Sequence, residues 1–167
     1  MKYFTKSRLD YRILLKVRNI SGFLVIILGI VWKFGVDFLI INFSSSPLST
    51  KVDTTDFFHV FIALFIAPPL ETLFFQLAPI ELFDHLTKKY WHKRFPIFAA
   101  CFSAIIFGSV HSQSLLSVMS ASVTGLALSN TYLIFRHKHH STSYGYIMTV
   151  LLHFTVNLII NLARLLP

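Results

Sequence analysis

Apolar residues in this chain come in long runs, separated by short polar stretches. A helix needs about 20 apolar residues to cross the ~30 Å hydrocarbon core of a bilayer. On that measure the chain predicts five spans, over residues 20–43, 57–83, 96–111, 115–135 and 146–165. The stretch before them has a different pattern. In residues 1–18, Tyr3, Phe4, Leu9, Ile13, Leu14 and Val17 fall near helical spacing among six Lys or Arg and one Asp. This predicts a basic amphipathic helix on the membrane surface. A signal peptide is the competing reading, but the apolar run that follows is too long for its hydrophobic segment. The expected organisation is a cytoplasmic segment over 1–18 and a single transmembrane domain over 19–167, an all-α polytopic helix bundle.

Two of the predicted spans carry irregularities. Lys33 and Asp37 are four residues apart in the first, on one helix face, where they can neutralise one another. Pro68 and Pro69 interrupt the second; a proline there removes a backbone donor and should kink the helix or break its hydrogen-bond ladder. Residues 44–56 read as a polar, turn-rich loop, and 136–145, RHKHHSTSYG, as a second loop.

Composition supports the membrane reading. The chain is 54% hydrophobic and only 13% charged, and the charged share decides more, because a soluble domain carries about a quarter. The net charge of +8 is not a nucleic-acid face, since the basic residues sit between the apolar runs. They also alternate. Segments 1–18, 84–95 and 136–145 hold 6, 4 and 2 of the 15 Lys and Arg. The positive-inside rule then places those segments and the N-terminus in the cytoplasm. The expected location is a multi-pass protein of a bacterial plasma membrane. The one cysteine, Cys101, excludes an internal disulfide and gives no zinc cluster.

Candidate chemistry lies inside the runs. Glu71, in APPLETLFFQ, is the carboxylate deepest in an apolar run with no cation near it in sequence. An acidic residue there costs at least about 2.5 kcal/mol to insert, so it marks a functional site until a structural partner explains it. His111 and His153 also lie in apolar runs, and Asn157 follows His153 by one helical turn. Counted from the cytoplasmic ends at ~1.5 Å per residue, Glu71, His153 and His111 lie roughly 18, 12–16 and 22 Å deep. Three polar groups from three helices can therefore meet near the midplane. A carboxylate in a low-dielectric cavity is a strong base that can take a proton from water with a His assisting. A second His and an Asn amide can donate to a developing oxyanion. Glu71, His111 and His153 could also hold a divalent metal such as zinc, but the HExxH spacing is absent and no cofactor is expected. His137, His139 and His140 read as a solvated loop rather than a metal tract.

At these residues the chain resembles the CPBP family, the CAAX proteases and bacteriocin-processing enzymes. The resemblance covers about residues 60–164 and rests on a Glu motif, then FxxxH (Phe107 to His111), then HxxxN (His153 to Asn157), each in its own span. It implies that Glu71 and His111 activate water while His153 and Asn157 stabilise the oxyanion. The family usually carries EExxxR in the first motif; here Thr72 stands for the second Glu and Gln76 for the Arg. The exchange keeps the charge balanced. The function implied is an intramembrane endopeptidase, acting on a peptide or the tail of a membrane-anchored protein. A catalytically weak membrane protein that binds a partner, as in bacteriocin immunity, is the second expectation. An ion-coupled transport component is the third, disfavoured because no inverted repeat is visible.

Overall fold

A computed structural model of the chain describes residues 22–43, 57–87, 95–111 and 114–165. The predicted N-terminal amphipathic helix over 1–18 lies outside them. The described residues form five helices and no strand: α1 (Gly22–Phe43), α2 (57–87), α3 (Phe95–Ser109), α4 (Leu115–His139) and α5 (Thr142–Leu165). Three are long and apolar enough to cross a membrane, over Phe57–Leu86, Leu115–His139 and Thr142–Ala163. The apolar stretches of α1 and α3, Leu24–Gly35 and Ile97–Ser109, are shorter. At ~1.5 Å per residue, the apolar stretch of α3 reaches only about two thirds of a bilayer core. The chain is an all-α membrane bundle with large apolar side chains, among them Phe57, Phe65, Phe74, Ile97 and Leu115, exposed on its outside.

The interior holds small and polar residues. Ala99, Ala100, Ser103, Ala104 and Gly108 of α3 are buried, as are Thr124, Gly125, Leu128 and Ser129 of α4. Lipid tails are as apolar as a leucine core, so membrane helices associate by close backbone approach and interhelical hydrogen bonds. Gly125 shows how close: a Cβ there would meet Phe107 Cβ at 2.9 Å and Ala104 Cα at 3.0 Å. A second buried cluster, Ile80, Ala99, Ala100, Tyr132 and Leu133, ties α2, α3 and α4 together toward the other end.

The prolines of α2 act as expected, and a third joins them. The helix passes through two π-helical turns, Ile62–Ile66 and Thr72–Leu77. The first closes with Ala67 N–H on Ile62 C=O and the second with Ala78 N–H on Leu73 C=O. In each case the next residue is proline, Pro68 or Pro79. Ala63 C=O consequently has no backbone donor, because Ala67 N–H is spent one residue earlier and Pro68 has none. Phe75 C=O likewise loses its α-helical donor to Pro79.

Other helices repair this ladder. Asn157 Nδ2 of α5 donates to Ala63 C=O at 2.9 Å, and the Ser103 hydroxyl of α3 donates to Phe75 C=O. With that proton committed, Ser129 Oγ of α4 donates to Ser103 Oγ at 2.8 Å. Tyr146 Oη of α5 donates to Pro69 C=O at 3.1 Å.

One sequence expectation needs correction. Residues 136–145 are not a long loop: α4 continues to His139, His140 adopts a left-handed φ of 50°, and α5 begins at Thr142. Hydropathy misreads this corner because the helix carries exposed polar side chains such as His137 and His139 past its apolar stretch, held by contacts that hydropathy does not see. Arg136 reaches Glu81 at 2.8 Å and Asp84 at 3.0 Å, Tyr132 Oη donates to Glu81, and the His139 ring lies 3.9 Å from that of Tyr144. Lys33 of α1 is buried, and its Nζ donates to Ser120 Oγ of α4 at 3.0 Å. The side chain of Asp37 lies outside the described ones.

Because its Cβ would strike backbone as well as side chain, Gly125→Ala is expected to destabilise the bundle by about 1–3 kcal/mol. Thermal unfolding in detergent micelles measures this; an unchanged midpoint would contradict so close an α3–α4 approach.

Candidate functional site

Glu71 and Thr72 stand at the junction between the central α-helical turn of α2, Ala67–Glu71, and its second π turn. The π turn adds one residue to the helical repeat, which rotates the following side chains relative to a regular helix. Thr72 and Gln76 are fully buried, whereas Glu71 retains 28% of its side-chain surface. The carboxylate thus faces a partly open space while its neighbour points into protein.

His153 comes from the middle of α5, where it is 3% exposed. Its two nitrogens address the two α2 residues. Nε2 lies 3.5 Å from Glu71 Oε2, and Nδ1 lies 3.4 Å from Thr72 Oγ1. Leu152, one residue earlier, packs with Phe107, Leu128 and Val156 and fixes this part of α5 against α3 and α4.

His111 is not inside a helix, contrary to expectation. α3 ends at Ser109, and His111 occupies the turn beyond it, with its N–H on Gly108 C=O at 3.0 Å. The FxxxH spacing still brings the two rings together, their centroids 4.6 Å apart. Nδ1 of His111 is 2.8 Å from Phe107 C=O. A carbonyl only accepts, so Nδ1 carries the proton, and in the neutral ring Nε2 is left as an acceptor. His111 is within electrostatic range of both Glu71 and His153. Phe107 holds the group together, since its ring also meets that of His153 edge-on at 5.8 Å.

Asn157 is one turn along α5 from His153, but its amide is engaged on Ala63 C=O. It therefore shares the helix face of the site and closes the proline-broken ladder of α2. Gln76 is one turn along α2 from Thr72. Among the described residues, neither its amide nitrogen nor its oxygen has a hydrogen-bond partner. Among the described residues no three His, Cys, Asp or Glu side chains are arranged to hold a metal ion.

The structure thus brings together Glu71, Thr72 and His153 directly, with Phe107 and His111 against them. Sequence reading missed Pro79, Ser103 and Tyr146, which shape α2 around the pair. A signal was present: Ala67-Pro68 recurs as Ala78-Pro79, eleven residues on, or about three helical turns.

An acidic residue paired with an imidazole in the interior of a helical membrane bundle places the chain among membrane proteins with a buried acid–base site. Over residues 53–159 it matches the model of the Rce1-like family, described as type II CAAX prenyl endopeptidase Rce1-like. The match covers most of the chain and includes Glu71, His111, His153 and Asn157, so the chain belongs to this family of CAAX-type membrane endopeptidases. No curated protein and no solved structure matches it.

If Asn157 supports α2 as this contact indicates, Asn157→Leu should leave the Ala63 carbonyl unpartnered and cost about 1–3 kcal/mol of stability. A thermal midpoint equal to that of the parent in the same lipid would rule the contact out as structural.

Proposed function

We propose that the chain is an intramembrane endopeptidase that hydrolyses a peptide bond in a membrane-associated peptide or protein tail. Glu71 acts as the base that takes a proton from water. His111 assists it, with Nε2 as the acceptor that orients the same water. His153 Nε2 and the second N–H of the Asn157 amide, the one not given to Ala63 C=O, donate to the oxyanion that forms when the water attacks the carbonyl carbon. The proton held on Glu71 then passes to the departing amine, as a general base returns its proton as an acid.

The observation that carries this reading is the 3.5 Å approach of Glu71 Oε2 to His153 Nε2, made between α2 and α5. One of these groups accepts and the other donates, which hydrolysis requires on the two sides of a scissile carbonyl. The remaining exposure of Glu71 supports access by water and substrate. Membership of the endopeptidase family points the same way. We place the N-terminus in the cytoplasm on the alternation of basic segments.

Glu71→Gln and His111→Ala test the proposal directly. Each is expected to lower the processing of a membrane-anchored peptide by about 10²–10⁴-fold while the protein remains folded. Processing at the parent rate in both variants would remove the hydrolytic reading. A binding role would survive those substitutions and would appear as capture of the uncleaved peptide.

A further inference from the structure

Thr72 behaves unlike the threonines in the interior of α4 and α5. The hydroxyls of Thr124, Thr131, Thr149 and Thr155 each turn back onto the carbonyl four residues earlier, at 2.7–3.0 Å. That is the usual resting place of a threonine hydroxyl in a membrane helix. The hydroxyl of Thr72 instead lies 3.4 Å from Nδ1 of His153 on another helix. The local backbone explains why it can. Pro68 C=O, the carbonyl four residues earlier, shares the Thr72 N–H with Pro69 C=O at the junction before the π turn.

We infer that Thr72 is a positioning residue: its hydroxyl donates to Nδ1 of His153 and holds that ring as the Nε2–H tautomer, so that His153 presents a donor to the reacting carbonyl. The inference rests on the endopeptidase reading for its consequence but not for its geometry. Nε2 faces a carboxylate, and an ionised carboxylate only accepts, so the proton belongs on Nε2. In a neutral ring Nδ1 must then accept. A hydroxyl can give or take a proton, so it adapts to that need. A carboxylate at the same position could not. An acidic side chain beside Nδ1 would call for a proton there and leave Nε2 without one, or would hold the ring as an imidazolium.

The two histidines thereby become complementary. His111 is fixed by the Phe107 carbonyl with its proton on Nδ1 and an acceptor on Nε2. His153 is fixed by Thr72 in the opposite sense. One ring can take a proton from water while the other donates to an oxyanion, with no exchange of tautomers between the two steps. Thr72 touches neither water nor substrate in this scheme and acts through His153.

The test is the tautomer itself. Full-length protein in lipid nanodiscs, labelled with ¹⁵N at histidine, gives separate shifts for protonated and bare ring nitrogens, and the His153 signals are identified by their loss in His153→Asn. The parent should show a protonated Nε2 and a bare, hydrogen-bonded Nδ1. Thr72→Ser should keep that pattern. Thr72→Val should lose the hydrogen-bonded Nδ1 signature, and Thr72→Glu should move the proton to Nδ1 or protonate both nitrogens. Processing is expected to fall about 10–100-fold in Thr72→Val and to be retained in Thr72→Ser. A parent ring protonated at Nδ1, or a Thr72→Val spectrum identical to the parent's, would overturn the inference. If Thr72→Val does not fold, the parent and Thr72→Ser spectra decide it alone. Loss of the endopeptidase reading looks different: the tautomer pattern holds, while Glu71→Gln and His111→Ala process peptide at the parent rate.

Discussion

Backbone carbonyls without a helical donor organise this bundle. In water such a carbonyl is solvated at little cost, but in hydrocarbon each unsatisfied group costs several kcal/mol. Helix α2 creates these groups by placing prolines directly after its two π turns. It can therefore persist only where neighbouring helices supply donors. Asn157 of α5 and Ser103 of α3 do so, Ser129 of α4 supports Ser103, and Tyr146 of α5 adds a second donor to Pro69 C=O, which already accepts from Thr72 N–H. The defects of one helix thus set the positions of three others. Ridges of leucine could not give this definition, since apolar contact with a neighbouring helix gains little over contact with lipid.

The candidate site lies between those repairs. Asn157 meets α2 before its central turn and Ser103 meets it after, and Glu71 and Thr72 lie between the two contact points. The distance from carboxylate to imidazole is consequently fixed by hydrogen bonds at both ends of the segment. This also accounts for the two roles that converge on α5. His153 addresses the side chains of α2, while Asn157, one turn away, addresses its backbone. In the endopeptidase reading the same helix carries the oxyanion donors and holds the base in place, so a displacement of α5 would disturb both.

Stability and chemistry make different demands on polar groups here. Glu81, Asp84, Arg136 and Tyr132 form a closed network in which the cation has two carboxylates and the phenol a third contact. It joins α2 to α4. Glu71 is about as exposed as Glu81 and Asp84 but more loosely engaged, at 3.5 Å from its imidazole against 2.8 and 3.0 Å for their contacts with Arg136. A carboxylate meant to bind water must retain unused acceptor capacity, whereas one meant to join helices need not.

Much of the molecule is legible in its sequence because the bilayer imposes simple rules. Runs of apolar residues of a given length must be helices, and this alone determined the all-α class and the approximate limits of α2 and α4. Glu71, His111 and His153 stand out because an ionisable residue in such a run needs a reason. Hydropathy failed at the 136–145 corner, where polarity suggested a loop and side-chain partners from α2 and α5 allowed continued helix. It also failed at His111, since one exposed turn leaves no mark on an apolar average. What the sequence could not determine was which partner each polar group would take. Lys33 met Ser120 across the bundle, Thr72 turned from its own helix to His153, and Asn157 met a carbonyl left open because the π turn spends Ala67 N–H on Ile62 and Pro68 has no N–H to offer. Those choices join residues about 80 to 95 positions apart in the chain. They depend on the rotation of α2 through its π turns, a property of the folded backbone that local residue preferences do not encode.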